Sequence, residues 1–256
     1  MLDALYAGAL EDAASRLEVV SSSALERKIS EMSPAINALD AFAPRDQIHV
    51  LAEVKRASPS RGDLAKIENP SDLASLYEQG GATGISVLTE ERKFKGSLQD
   101  LREVRSRVGV PLLRKDFIAN EYQLLEARAA GADIALLIVA GLEQKTLIRL
   151  KEFTEQLGMT AFIETHSHDE VLRALDVDGR FVGVNARDLS TFETDRDLFG
   201  RLVELFPPQV IKVAESAVRS AEDVAHYRRS GADVVLVGEA LVTSDPLKSL
   251  ASFLEV

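Results

Sequence analysis

The chain has 256 residues, 46% of them apolar, with 30 Lys and Arg against 41 Asp and Glu, a formal charge of −11. That acidity argues against general nucleic-acid binding, which needs a basic surface, but it leaves room for an anionic small ligand in a local cationic pocket. There is no cysteine, so disulfides and thiolate metal sites are excluded, and four scattered histidines argue against a His-based metal site.

No apolar run reaches the roughly 20 residues that span a bilayer. The first twenty residues lack a basic start and carry Asp3, Glu11 and Asp12. They predict an amphipathic helix and not a signal peptide, hence a cytoplasmic protein with no membrane partner. Residues 1–47 are expected to be helical. Leu2, Leu5, Leu10, Ala14 and Leu17 are roughly helically spaced, and Ser21 to Ser23 cap a second helix over Ala24–Met32. Packing is the expected role of both, one of them covering the bottom of the fold built by the remaining residues.

From Ile48 onward, short apolar runs alternate with longer amphipathic segments. The runs are HVLAEVK, GISVLTE, PLLRKDF, DIALLIVA, TAFIETH, FVGVNAR, VIKVAES and DVVLVGE. Each is short and rich in Val, Ile and Leu, as parallel strands covered on both faces should be. Helices are expected at Ser71–Glu78, Ser97–Arg107, Glu121–Ala130, Glu143–Leu157, Asp169–Leu175, Arg196–Leu205, Ala221–Arg229 and Pro246–Leu254, with Asn120 and Ser220 as N-caps. An internal echo supports the alternation. GGATGISVL, AGADIALLI and SGADVVLVG each place a Gly-Ala pair just before a run, with Gly81, Gly131 and Gly231 spaced 50 and 100 residues apart. A period of two strand–helix units is what a (β/α)8 TIM barrel predicts. No linker-like tract interrupts it, so one α/β domain is expected, with 1–47 as N-terminal helices and 48–256 as the barrel.

In such barrels the active site lies at the C-terminal ends of the strands. The first run ends in Glu53 and Lys55, two apart and therefore on one face. The third supplies Lys115, with Phe117 just beyond. The fifth supplies Glu164, the sixth Asn185 and Arg187, the seventh Glu215 and Ser216, and the eighth Gly238. Solvated charges would scatter over both ends, but here the opposite ends are apolar. Two lysines and three carboxylates suit proton transfer. Apolar walls lower a lysine's pKa and a neighbouring glutamate raises it again. A Schiff base on Lys55 or Lys115 is a competing use of the same residues. The turns after the last two runs, and the hydroxyls of Ser58 and Ser216, suit a phosphate.

Six segments in order resemble indole-3-glycerol phosphate synthase: EVKRASPSRG (53–62), LLRKDF (112–117), IETH (163–166), VNARDLSTF (184–192), AESA (214–217) and LVGEAL (236–241). The likeness runs from about Val50 to the C-terminus, and the helical extension fits it. It implies a cofactor-free lyase of tryptophan biosynthesis. That enzyme closes the indole ring of 1-(2-carboxyphenylamino)-1-deoxyribulose 5-phosphate with loss of CO₂ and water. It implies Lys115 as general acid, Lys55 against the substrate carboxylate, and Glu164 in the dehydration half. Glu53, Asn185 and Glu215 match positioning and electrostatic residues, and Phe94 and Phe117 lie near the aromatic ring. Ser58, Ser216, Gly238 and Glu239 fall in the phosphate-side loops, with Arg187 and Leu236 also against substrate. A small anionic sugar phosphate is the expected partner of a monomer, and a complex with neighbouring pathway enzymes is left open. Two departures stand out. Ala217 occupies a position usually held by Gly, which is strained if φ must be positive, and Ala186-Arg187 replaces Asn-Arg. The alternatives are an isomerase of a related sugar phosphate, a catalytically silent barrel that binds a partner, and a flavin-binding phosphate barrel.

Overall fold

The computed structural model describes residues 2–59, 61–188, 191 and 193–256. Ser60, in the segment 53–62, and Leu189, Ser190 and Phe192, in the segment 184–192, lie outside the described residues. Eight parallel strands close on themselves: β1 (His49–Val54), β4 (Gly84–Leu88), β5 (Leu112–Lys115), β6 (Ile134–Ile138), β7 (Thr160–Thr165), β8 (Phe181–Asn185), β9 (Ile211–Glu215) and β10 (Val234–Val237), with β10 returning to β1. A two-stranded ribbon, β2 (Ala57–Ser58) and β3 (Gly62–Asp63), stands in the loop after β1. This is the (β/α)8 barrel expected from the alternation, with all eight apolar runs forming strands.

The helices keep closely to the expected segments. Those of the barrel are α4 (Pro70–Gln79), α5 (Leu98–Arg105), α6 (Glu121–Ala129), α7 (Gln144–Gln156), α8 (His168–Asp176), α9 (Leu198–Leu202), α10 (Ala221–Arg229), α11 (Glu239–Val242) and α12 (Pro246–Leu254), and the chain opens with α1 (Leu2–Val19). Asn120 and Ser220 each form a full capping box. The expected helix at Arg196–Leu205 is shorter, and its last turn tightens to a 3-10 helix over Val203–Leu205. Arg196 stays outside it and pairs with Asp223 at 2.7 Å.

The Gly-Ala echo has a structural meaning. Gly81, Gly131 and Gly231 have φ of 90°, 99° and 94°, a backbone that favours glycine. Each ends a helix, and the following alanine N–H reaches back to a carbonyl five residues earlier. The next residue then ties the new strand to its neighbour. Asp133 accepts the Leu112 N–H at 2.9 Å, Asp233 accepts the Lys212 N–H at 2.9 Å, and Thr83 Oγ1 meets His49 Nδ1 at 2.9 Å. The carboxylates of Asp133 and Asp233 at the strand starts are therefore engaged in setting register.

The N-terminal extension departs from the expectation. Neither α1 nor α2 (Ser22–Ser30) covers the bottom. Phe42, just after the short helix α3 (Ala38–Ala41), does so, fully buried with its ring 5.2 Å from that of Phe181. Helix α1 lies instead across the mouth. Tyr6 packs edge-on against Phe117 at 5.6 Å and donates its hydroxyl to the Ile138 carbonyl. The reason is complementarity: the apolar face of Leu2, Leu5 and Tyr6 meets the aromatic side of the mouth, whereas Leu25 of α2 packs with Leu125 and Ala129 of α6. Among the described residues no helix is long and apolar enough to cross a membrane.

Candidate active site

Strand alternation and barrel register bring the polar strand ends to one level. Asn185 pairs with Glu215 across β8 and β9, Ile138 with Glu164 across β6 and β7, and Leu88 with Lys115 across β4 and β5. One cavity at the C-terminal rim is lined by every candidate residue: Glu53, Lys55, Ser58, Phe94, Lys115, Phe117, Glu164, Asn185, Arg187, Glu215, Ser216, Leu236, Gly238 and Glu239.

Two glycines make room for it. A Cβ on Gly183 would stand 2.4 Å from Oε1 of Glu215, and one on Gly238 would stand 2.4 Å from Oε1 of Glu53. Both carboxylates fill space that a side chain at Gly183 or Gly238 would occupy. Behind Lys115, the fully buried Arg114 donates to Thr89 Oγ1, the Gln123 carbonyl and Asp116, which clamps the end of β5 to the start of α6.

Lys115 is the hub. Its ammonium donates to Oε2 of Glu215 at 2.7 Å and to Oε2 of Glu164 at 3.1 Å. Burial alone would push this lysine down. The carboxylates of Glu164, Glu215 and Glu53 more than reverse that and hold it above the ordinary lysine range. Burial would push Glu164 up, but Lys115, then His166 and Asn185, hold it well below the usual carboxylate range. Glu215 goes the other way. Burial and the charge of Glu164 push it up to about 8 against the pull of Lys115. Near neutrality the rim therefore carries an ammonium, an ionised Glu164 and a mostly protonated Glu215.

Asn185 is oriented by its neighbours. Its Oδ1 accepts the Ser216 hydroxyl at 2.7 Å and the Arg187 N–H at 3.0 Å, which turns Nδ2 toward Oε1 of Glu164 at 2.9 Å. Lys55 makes an ion pair with Glu53 at 2.5 Å, while neither oxygen of Glu53 has a hydrogen-bond partner among the described residues. The cavity is polar on one side and apolar on the other. Phe94 and Phe117, with ring centroids 6.1 Å apart, form the apolar side with Leu2 and Leu5 of α1. Opposite them, Ser216 and Gly238 open the turns after β9 and β10. Ser216 and Ala217 have φ of 68° and 56°, so the departure at Ala217 is a strained residue.

Sequence reading gave no role to three contributors. In the sequence Leu2 and Leu5 are only packing positions, because which end of the barrel a helix crosses is a tertiary fact. His166, at the end of the fifth run, touches Glu164 from outside the cavity. A signal for it was present: Ser167 and Glu170 form a Ser-x-x-Glu helix start, which brings a carboxylate back to residue 166.

A closed barrel whose one rim gathers ammonium, carboxylate and amide groups is a (β/α)8-barrel enzyme equipped for acid–base chemistry. The comparisons narrow it further. The family model described as indole-3-glycerol phosphate synthase matches residues 2–253, and the chain belongs to that family. An indole-3-glycerol phosphate synthase of Leifsonia xyli subsp. xyli is 62% identical over 253 residues, covering 99% of this chain and 97% of the relative. One of Kineococcus radiotolerans is 52% identical over 256 residues, covering 98% and 93%. Among solved structures, the N-acetylmannosamine-6-phosphate 2-epimerase from Clostridium perfringens superposes with a TM-score of 0.63 at 14% identity, over 83% of this chain and 94% of that one. At that identity the likeness is one of fold.

Proposed function

We propose that this chain catalyses the indole-3-glycerol phosphate synthase reaction: ring closure of 1-(2-carboxyphenylamino)-1-deoxyribulose 5-phosphate with loss of CO₂ and water. Family membership supports the reaction, and one observation supports how this chain performs it. Lys115 sits at the hub of the cavity, between an aromatic wall and two small-residue turns. A substrate with an aromatic ring at one end and a phosphate at the other would span that cavity with its ketone near the ammonium.

In this reading Phe94 and Phe117 hold the aromatic ring, and Lys55 meets its carboxylate. The turns at Ser216 and Gly238 receive the phosphate, with Ser58, Arg187, Leu236 and Glu239 around it. The ring carbon that bears the carboxylate attacks the ketone carbon while Lys115 gives a proton to the ketone oxygen. The amine nitrogen then carries the positive charge, which draws in the C–CO₂ bond electrons as CO₂ leaves. The new hydroxyl departs as water after gaining a proton, and a carbon-bound proton is lost to a base. Glu164 is ionised and suits that last step. Glu215, pushed up by burial and by Glu164, keeps a proton more readily than Glu164 does, which weakens its hold on the Lys115 proton. Glu53 and Asn185 set the charge and aim of the lysine and of Glu164. The same reading takes the substrate as a free small anion and the enzyme as a cytoplasmic monomer.

Lys115→Ala is the direct test, with indole absorbance and CO₂ release as readouts on purified protein. Turnover is expected to fall by about 10²–10⁴-fold, with substrate binding retained. Turnover close to that of the native chain would remove Lys115 from the acid role.

A further inference from the structure

His166 follows the last residue of β7 and precedes the first turn of α8. Its ring Nδ1 lies 3.1 Å from Oε2 of Glu170, and the same oxygen accepts the His166 backbone N–H at 2.8 Å. Its other nitrogen, Nε2, is buried and lies 3.2 Å from Oε1 of Glu164. That contact is a charge contact short of hydrogen-bond geometry, and Nε2 has no hydrogen-bond partner among the described residues. One imidazole therefore stands between two carboxylates, one facing each nitrogen. A neutral ring would turn a lone pair toward one of them, whereas a doubly protonated ring offers a donor to both.

We infer that His166 is a positioning residue for Glu164, a cation held back by Glu170 that keeps this carboxylate ionised while Lys115 is without its proton. The inference rests on the reading of Glu164 as the acid–base residue of the dehydration half. Glu164 is buried, and its close cations are Lys115 on Oε2 and His166 on Oε1, with the neutral Asn185 amide also on Oε1. When Lys115 gives its proton to the ketone oxygen, the ammonium becomes an amine. A buried carboxylate that loses its counter-charge takes up a proton, and a protonated Glu164 is useless as a base. His166 does not line the cavity, so its charge is not drawn on by the same step. The ionisable groups facing its ring are Glu164 from β7 and Glu170 from α8; beyond Glu164 lie Lys115 from β5 and Glu215 from β9. Burial would push His166 down, but the two carboxylates raise it to about 10, so it stays cationic through the neutral range.

Two measurements test this. In the native chain, ¹⁵N spectra of the assigned His166 ring are expected to show both nitrogens protonated at about pH 8, well above the ordinary histidine range. A neutral ring there overturns the inference without any variant having to fold. In the second, kcat is followed against pH for His166→Asn and Glu170→Gln. Losing the cation raises the Glu164 pKa, so the acid limb moves to higher pH. A shift of about one unit lowers kcat on that limb about ten-fold, with KM unchanged and a smaller shift in the same direction for Glu170→Gln. Folded variants whose acid limb stays in place leave His166 as a tether of α8 only. Glu164→Gln separates the two readings. If it keeps turnover, the role of Glu164 itself falls. If it loses turnover while the His166 profile is unmoved, only this inference falls.

Discussion

Glu215 carries a different proton from that of Lys115, and the environment decides it. Its Oε1 is buried without a hydrogen-bond partner among the described residues, and its Oε2 is held by Lys115. Burial and the nearby Glu164 raise it to about 8. The folded state therefore holds this proton more tightly than the unfolded chain. The stability so gained is whole below the ordinary carboxylate pKa and is lost as pH rises through about 8. Glu215→Gln cannot ionise. Its melting temperature is expected to fall less than that of the native chain between about pH 7 and about pH 9, and parallel melting curves would show that Glu215 does not lose a proton across that range. At this scale Lys115, Glu164, Asn185 and Glu215 were legible in the sequence, because strand direction alone says which end residues reach the rim. Their unequal pKa values were not, since each depends on neighbours from other strands.

The turn after β9 is the element where local sequence and local geometry disagree. Ser216 and Ala217 both sit at positive φ, and the Ser216 hydroxyl is fixed on Asn185 while Tyr227 of α10 donates its own hydroxyl to the Ser216 carbonyl. The left-handed backbone costs an alanine about 1 kcal/mol or more, and glycine adopts it freely. Ala217→Gly is expected to stabilise the chain by about 1 kcal/mol, a melting shift of about 2–4 °C, measured by thermal unfolding, with kcat little changed. The sequence announced this strain only as a conditional. That φ is positive here comes from how β9, α10 and Asn185 meet.

At the scale of the molecule, α1 completes the aromatic side of the cavity and is held there by the loop after β4, the loop that also carries Phe94. Arg92, in the loop after β4, donates to both oxygens of Asp12 at 2.9 and 2.6 Å and to Glu11 at 2.9 Å. Glu90 shapes that loop by accepting the N–H groups of Arg92, Lys93 and Phe94. The ion pairs are exposed, so each is weak and screened by salt. Their effect is to hold α1 and Phe94 in register. Arg92→Ala is expected to raise KM a few-fold with kcat nearly unchanged, and in the native chain added salt should act in the same direction. A kcat that falls with KM constant would mean that α1 serves the chemistry and not the aromatic end of the cavity.

The alternation of strand and helix, the glycines that end the helices and the polar residues at one end of the strands can all be read from the order of residues alone. These are local properties, fixed by side-chain periodicity and chain direction. Barrel closure is what makes α1 cross the mouth while Phe42 closes the bottom, leaves space for two carboxylates at Gly183 and Gly238, and stands His166 behind Glu164. Those facts depend on which strands become neighbours when the barrel closes, and distance along the chain carries no record of that.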